Sequence, residues 1–303
     1  MSKTDFVTYS PMKIMKLTAL LQKHESTKAS GLLLSLGDGY LVENNTYYGA
    51  VRKKIKTLDF KFSDAPNQDY LAFPMSQLEN LLSSKTIYFQ NNIEILSQLD
   101  QKVPQQISWD HIGGNLKANY VFHESCHAIA RSLSTKLGLT KATDQKVKLV
   151  VMLLEESFAN TCEFMAINDA QDAVHKIFLE ANSFFTRFDD RTHLKNLIQE
   201  VGHKKVFKFM LYAYLHSNFL NEHYSPNDLN RVMKLTFNHK ALKNLSRNAF
   251  ELSPGFRFNT TELYLRLNGI NQNVLDALAF DYLTIVEQNP NLLKLIDELT
   301  EIF

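Results

Sequence analysis

Two histidines and a glutamate in one short string carry the clearest chemistry in the sequence: His123-Glu124-Ser125-Cys126-His127. Histidines four residues apart on a helix lie on one face about a turn apart, so both imidazoles can bind one metal ion. Glu124 is rotated by about 100° from His123, which places its carboxylate beside such an ion rather than on it. We therefore expect Glu124 to act as a general base on a water molecule bound to zinc.

The helix that would carry this string has a separate apolar stripe made of Phe122, Cys126, Ile129 and Leu133. Such a stripe is typical of a helix that packs on a core. Gly138 supplies a natural end to the helix. The string by itself also fits an ordinary helix that happens to contain two histidines. A third ligand is needed to favour a metal site.

A second segment, residues 146–167, places two carboxylates in apolar surroundings. Its sequence, KVKLVVMLLEESFANTCEFMAI, predicts a helix that is capped by Thr143 or Asp144. Glu155 and Glu156 lie in the middle of this helix, where at least one of them is expected to be buried. A buried carboxylate is costly unless it is paired with a cation or bound to a metal.

Adjacent residues on a helix point about 100° apart, so only one of the two glutamates normally faces a given site. We choose Glu156 as the metal ligand, because its stripe continues through the polar residues Asn160 and Glu163. Glu155 shares its side of the helix with packing residues, so its carboxylate must find a partner elsewhere. A buried ion pair with an arginine or lysine is the alternative explanation for such a carboxylate.

The segment Glu156-Ser-Phe-Ala-Asn160, downstream of His127, resembles the Glu-x-x-Ala-Asp/Asn helix of gluzincin metallopeptidases. The resemblance covers only residues 119–163. It implies that Glu156 is the third zinc ligand and that Asn160 hydrogen-bonds a ligating histidine, which would fix its tautomer. Asparagine is a weaker hydrogen-bond acceptor than the aspartate that can stand at this position.

Together these residues predict one Zn²⁺ per chain, bound by His123, His127 and Glu156. Three protein ligands leave a fourth position for water, as in catalytic zinc sites. The function that we predict is a zinc-dependent hydrolase, most simply a peptidase of peptide or protein substrates, with the zinc-bound water activated by Glu124. The candidates for stabilising the oxyanion are Tyr212, Tyr214, His216, His223 and Tyr224.

Two other classes of function stay open. A di-iron carboxylate protein would use Glu-x-x-His motifs from two bundle helices, here Glu124/His127 and Glu200/His203. Its remaining carboxylates would be Glu155 or Glu156 and, upstream, Glu79 or Glu94. Against this alternative, Gly202 inside the second motif is typical of a helix end. The other alternative is a non-enzymatic helical interaction protein.

Composition excludes some partners. The chain has 303 residues, of which 45% are hydrophobic, so it can bury a core. Its formal net charge of +1 argues against nucleic-acid binding, since phosphate recognition needs a clustered basic excess. We find no membrane-spanning apolar run and no signal peptide, and the two cysteines fit a reducing compartment. We therefore expect a cytoplasmic protein without membrane partners, although export without a cleaved signal stays open.

The elements that must position these residues predict a mainly α (α+β) fold. We expect a small mixed region over residues 1–105 and a helical body over residues 106–303, which could also form one continuous domain. The N-terminal predictions are a helix at 11–27, strands at 32–36, 40–42 and 55–62, and two short helices between 75 and 99. From about Leu116 onward nearly all segments predict helix, whereas His111 is expected in a loop.

Overall fold

The computed structural model describes residues 27–28, 45–64, 85–89, 109–169, 191–217, 226–237 and 280–303. This part of the chain is mainly helical, as the fold class predicts. Its strands are β1 (Thr27–Lys28), β2 (Lys61–Asp64) and β3 (Thr86–Phe89). Its α-helices are α1 (Thr46–Ile55), α2 (Trp109–Lys136), α3 (Gln145–Asp169), α4 (Arg191–Val201), α5 (His203–Ser217), α6 (Pro226–Phe237), α7 (Tyr282–Gln288) and α8 (Pro290–Thr300).

The three strands pair in the order β1-β2-β3. Strand β2 runs antiparallel to β1, with Phe62 opposite Thr27, and parallel to β3, with Lys61 opposite Thr86. The predicted strand at 55–62 is wrong in its position, because α1 continues to Ile55 and β2 begins only at Lys61. The strands predicted at 32–36 and 40–42 lie outside the described residues. So does the helix predicted at 11–27 except for Thr27, where that prediction is wrong because Thr27 lies in β1.

Strand β3 lies inside the span that predicted two short helices, so that prediction is wrong for Thr86–Phe89. The sequence of β3, TIYF, consists of β-branched and aromatic residues, which favour strands. That the first 105 residues form a small mixed region beside a helical body stays a prediction.

Helix α1 was not predicted from the sequence. Its cap is Asn45, whose side chain accepts hydrogen bonds from the backbone N–H groups of Tyr47 and Tyr48, both 3.2 Å away. This is the usual way in which an asparagine satisfies the unpaired donors at a helix start. Tyr47, Tyr48, Val51 and Ile55 are buried, so α1 packs through one apolar side.

Two hydrogen bonds join the start of α1 to the end of α3. The Nδ2 of Asn45 donates to the carbonyl oxygen of Ala166 at 2.8 Å, and this bond is buried. The backbone N–H of Thr46 donates to Oδ2 of Asp169 at 2.6 Å. A single asparagine therefore caps α1 and holds it against the last turn of α3.

Helix α2 begins at Trp109, earlier than predicted, so His111 lies in a helix rather than in a loop. The predicted apolar stripe is confirmed, because Phe122, Cys126, Ile129 and Leu133 are all buried. The helix ends as predicted at Gly138, which has a φ of 72°. This left-handed conformation favours glycine, which has no Cβ to clash with the backbone.

Helix α3 is capped by Asp144, one of the two predicted caps. Its Oδ1 accepts a hydrogen bond from the backbone N–H of Lys146 at 2.8 Å. The helix is buried on almost every side between Val147 and Ala166, as its continuous apolar sequence predicts. The helix end predicted at Gly202 is confirmed between α4 and α5, and Asn289 separates α7 from α8.

The chain divides into two compact units. The first contains the three strands, α1, α2 up to Ile129, and α3 from Cys162; the second contains the remainder of α2 and α3 together with α4 to α8. Each of the two long helices is continuous across the division. Within the described residues, every helix is too short or too polar to cross a bilayer.

Candidate metal centre

Helices α2 and α3 bring together the three residues that the sequence predicts as metal ligands. His123, His127 and Glu156 each offer one ligand atom, and these atoms all lie within 4.8 Å of one another. Within the part of the chain that the structure describes, this is the one group of three or more such residues. Two imidazoles and one carboxylate form the ligand set of many catalytic zinc sites.

The two histidines, His123 and His127, direct their Nε2 atoms towards one another. The Nε2 atoms of His123 and His127 are 3.0 Å apart, and the rings meet edge to face with centroids 4.8 Å apart. Two nitrogen ligands at about 2.0–2.1 Å from a tetrahedral zinc would lie about 3.3 Å from each other. The pair is therefore close to the spacing at which both Nε2 atoms can bind one ion.

Glu156 is fixed by a residue of its own helix. The Nδ2 of Asn160, one turn further along α3, donates a hydrogen bond to Oε1 of Glu156 at 3.1 Å. Asn160 is buried, and its Oδ1 has no hydrogen-bond partner among the described residues. Asn160 thus contacts Glu156, the candidate carboxylate ligand, whereas the resemblance implied a contact with a histidine.

A carboxylate that was not assigned a role lies against the first histidine. Oε2 of Glu163 is 3.3 Å from Nδ1 of His123, and both side chains are largely buried. The sequence did contain a signal for Glu163, because it continues the polar stripe that begins at Glu156. Its partner could not be read from that stripe.

The neighbouring Glu155 is held by an arginine. Its Oε2 accepts hydrogen bonds from Nε and Nη2 of Arg131 at 3.3 and 3.1 Å, and both side chains are buried. Arg131 lies on α2, one turn beyond His127. The two helices are therefore joined by a buried ion pair next to the candidate ligands, and Glu155 has found its partner elsewhere, as predicted.

Exposure separates the candidate residues from their neighbours. His123, Glu124, His127 and Glu156 are each partly exposed, whereas the residues beside them on both helices are buried: Phe122, Ser125, Cys126, Ala128, Glu155 and Ser157. Solvent thus reaches the side chains that would bind and activate a water molecule. A structural zinc site, by contrast, is closed by four protein ligands.

Both cysteines, Cys126 and Cys162, are buried and are free thiols. Burial raises the pKa of Cys162 well above its ordinary value, and the hydrogen-bonding contact with Cys126 acts in the same direction. A buried thiol with a raised pKa is neither a good metal ligand nor a good nucleophile. We therefore treat Cys162 as a packing residue, and Cys126 likewise because it is fully buried.

Of the five candidates for stabilising an oxyanion, Tyr212, Tyr214 and His216 lie on α5. The other two, His223 and Tyr224, lie outside the described residues. Nδ1 of His216 lies 3.0 Å from the hydroxyl of Tyr282, and both residues are buried. Burial also raises the pKa of Tyr212 above its ordinary value. The assignment of an oxyanion-binding role to any of the five stays a prediction.

The second motif of the di-iron alternative is interrupted. Glu200 lies in the last turn of α4, His203 begins α5, and Gly202 between them has a φ of 83°. Both Glu200 and His203 are exposed, and neither belongs to the ligand group described above. Glu79 and Glu94 lie outside the described residues. Among the described residues, this second motif therefore does not join the group of His123, His127 and Glu156.

Comparison with known proteins adds no relative, since no family model, no curated protein and no solved structure matches this chain. The geometry of the site therefore carries the functional argument by itself.

Proposed function

We propose that this protein is a zinc-dependent hydrolase, most simply a peptidase, with one Zn²⁺ held by His123, His127 and Glu156. The observation that carries the proposal is the convergence of these three ligand atoms within 4.8 Å of one another, on side chains that solvent can reach. Imidazole and carboxylate ligands in this ratio suit zinc, and three protein ligands leave a position for water or substrate.

The donor set fits the ion in charge as well as in geometry. Two neutral imidazoles and one carboxylate would offset half of the 2+ charge. Such an ion would supply a coordinated water whose pKa is lowered towards neutrality. The gluzincin-like spacing of His123-Glu124-x-x-His127 and Glu156-x-x-Ala-Asn160 is the basis for preferring peptide or protein substrates.

Glu124 is proposed as the general base. It follows His123 directly on α2 and is partly exposed, so its carboxylate can exchange protons with water and substrate. As a base it would accept a proton from the attacking water, and as an acid it would return this proton to the leaving amine. The oxyanion of the tetrahedral intermediate needs a further donor, for which the aromatic and histidine residues of α5 stay the candidates.

The compartment is part of the same proposal. Two free, buried cysteines agree with residence in a reducing compartment such as the cytoplasm. Nothing in the net charge of +1 favours nucleic acid as a partner.

Metal analysis of the purified chain tests the proposal most directly. We expect one zinc per chain by elemental analysis, and a loss of most zinc affinity in His123→Ala, His127→Ala and Glu156→Ala. Glu155→Ala is the matched control, because Glu155 is the adjacent carboxylate and pairs with Arg131 instead. We expect this control to keep its zinc.

Two other results of the same metal analysis would contradict the proposed zinc site. Two irons per chain would favour the di-iron alternative, and a chain that binds no metal would favour the non-enzymatic one. If Glu155→Ala lost the zinc while Glu156→Ala retained it, the ligand would move by one residue.

A further inference from the structure

The ligand group is supported by polar side chains that lie behind it on α3. Glu156, Asn160 and Glu163 follow one another at intervals of four and three residues, so all three lie on one face of the helix. Asn160 contacts the carboxylate of Glu156, and Glu163 contacts the ring of His123. Each of these two outer residues thus contacts a different candidate ligand.

The contact with His123 involves the ring nitrogen that faces away from the ligand group. Nδ1 lies 3.3 Å from Oε2 of Glu163, while Nε2 lies 3.0 Å from Nε2 of His127. A carboxylate can only accept a hydrogen bond here, so the contact favours the tautomer with the proton on Nδ1. In that tautomer Nε2 keeps its lone pair for a metal ion.

Burial makes this contact specific. Only 7% of the Glu163 side chain is exposed, and a carboxylate in such surroundings needs a hydrogen-bond donor or a cation. Tyr48 stacks on Phe122, the residue before His123 in the chain, with ring centroids 4.0 Å apart. The Tyr48 hydroxyl is buried and has no hydrogen-bond partner among the described residues. The Tyr48 hydroxyl therefore does not compete with His123 for the carboxylate of Glu163. The imidazole N–H of His123 can serve as the donor to this carboxylate.

We propose that Glu163 is a positioning residue of the metal centre, which holds His123 in the Nδ1–H tautomer and directs its Nε2 towards the ion. This inference rests on the proposed zinc site and assigns a role to a residue outside the ligand set. It divides the support of the site between two residues: Glu163 orients a histidine, and Asn160 orients the carboxylate ligand. Outer partners of this kind typically change metal affinity by about 10- to 100-fold.

Zinc affinity of variants tests the proposal. Glu163→Ala should raise the dissociation constant for zinc by about 10- to 100-fold. Glu163→Gln has almost the same shape and keeps an oxygen that can accept from Nδ1–H, so its effect should be smaller. The matched control is Glu155→Ala, which removes another buried carboxylate of α3 but leaves His123 untouched. It should bind zinc as the native chain does.

The tautomer of His123 gives a second measurement, which needs no metal. In the metal-free native chain, ¹⁵N NMR should show the His123 proton on Nδ1, and in Glu163→Ala it should move towards Nε2. A His123 that keeps its tautomer in Glu163→Ala, or a Glu163→Ala variant with native zinc affinity, would overturn the inference. If the native chain bound no zinc, the proposed function would fail, while the tautomer measurement would still decide the role of Glu163.

Discussion

Glu155 and Glu156 are neighbours in the chain, yet their carboxylates have different partners. Glu155 pairs with Arg131, whereas Glu156 accepts from Asn160 and approaches the two histidines. The angle of about 100° between adjacent helical residues explains this difference. The same angle allowed the sequence to predict which glutamate faces the site, because only the stripe of Glu156 continues with polar residues.

Removing Glu155 should destabilise the fold without emptying the site. Glu155→Ala would remove the carboxylate that accepts from Arg131 while the guanidinium stays buried, and breaking a buried ion pair in this way costs about 3–5 kcal/mol. The free energy of unfolding from urea titrations measures this cost. A double replacement, Arg131→Met with Glu155→Leu, removes both charges and should recover most of the loss. An equal loss in the single and double variants would show that the pair itself is not the cause.

Changing Glu124 should separate catalysis from metal binding. Glu124→Gln removes the base but no ligand, so we expect zinc content close to native and peptide hydrolysis reduced by at least about 100-fold. Zinc content and turnover of a peptide mixture are measured on the same preparation. His123→Ala serves as the comparison, because it should lose both zinc and activity. A Glu124→Gln chain as empty of zinc as His123→Ala would contradict the assignment of roles.

The contacts behind the ligands could be predicted only in part. The stripe of Glu156, Asn160 and Glu163 is visible in the sequence, and it predicts which residues face one side of α3. It does not predict which ligand each of them meets, because that depends on side-chain rotamers and on the register of α2 against α3. Asn160 was therefore expected at a histidine, but it donates to Glu156.

At the scale of elements, the long helices were predicted well and the short ones less well. Helices α2 and α3 each carry a sustained apolar pattern and a recognisable boundary. Gly138 follows the end of α2, and Asp144 caps the start of α3. Helix α1 is short, and a hydrogen bond from its cap Asn45 to Ala166 attaches it to α3. Because most of what stabilises a short helix is tertiary packing, its own sequence gives little signal.

Helix α7 begins at a cap that also belongs to an ion-pair network. Asp281 accepts from the backbone N–H and the hydroxyl of Thr284, and from Nη1 of Arg231 at 2.9 Å. Burial by itself would raise the pKa of Asp281, but the hydrogen bonds from Thr284 and Arg231 outweigh it and the pKa is lowered. Arg231 also pairs with Glu287 in the last turn of the same helix.

A lowered pKa in the folded state has a defined consequence for stability. The contribution of Asp281 is present above the unfolded pKa of about 3.9 and is lost as the pH falls through the lower, folded value. Asp281→Ala should therefore reduce the free energy of unfolding at pH 7 by about 0.5–2 kcal/mol, the usual cost of losing such a cap. Urea titrations at pH 7 and pH 3 measure the change.

The difference between Asp281→Ala and the native chain should shrink at the lower pH. Asp297→Ala is the control, because Asp297 is an exposed residue inside α8 whose contact is an ion pair with Lys208. Such exposed pairs contribute little to stability, so this variant should stay close to native. A cost for Asp281→Ala that is the same at both pH values would contradict the electrostatic explanation.

At the scale of the whole molecule, a metal held by two helices should stabilise the fold. Zinc at about 100 times its dissociation constant would add about 2.7 kcal/mol, provided that the unfolded chain does not bind it. We expect the melting temperature to rise by several degrees on adding zinc and to fall again with a chelator. His123→Ala should show no such rise. An equal rise in both proteins would mean that the ion binds elsewhere.

The two compact units do not follow one another along the chain. Each unit takes part of α2 and part of α3, and the boundary expected near residue 105 stays a prediction. No local pattern in the sequence marks Ile129 or Thr161 as a boundary, since both lie inside uninterrupted helices. Only long-range contacts define such units.

The hydrogen bond from Asn45 to Ala166 has a consequence for the newly made chain. Its two ends are 121 residues apart, and a ribosome adds about 5–20 residues per second, so Ala166 is made about 6–24 s after Asn45. Throughout that interval the nascent chain carries Tyr47, Tyr48 and Val51 without the helix end to which α1 attaches. The apolar side of α1 is thus a surface that chaperones can reach during translation and that becomes buried once the last turn of α3 has emerged.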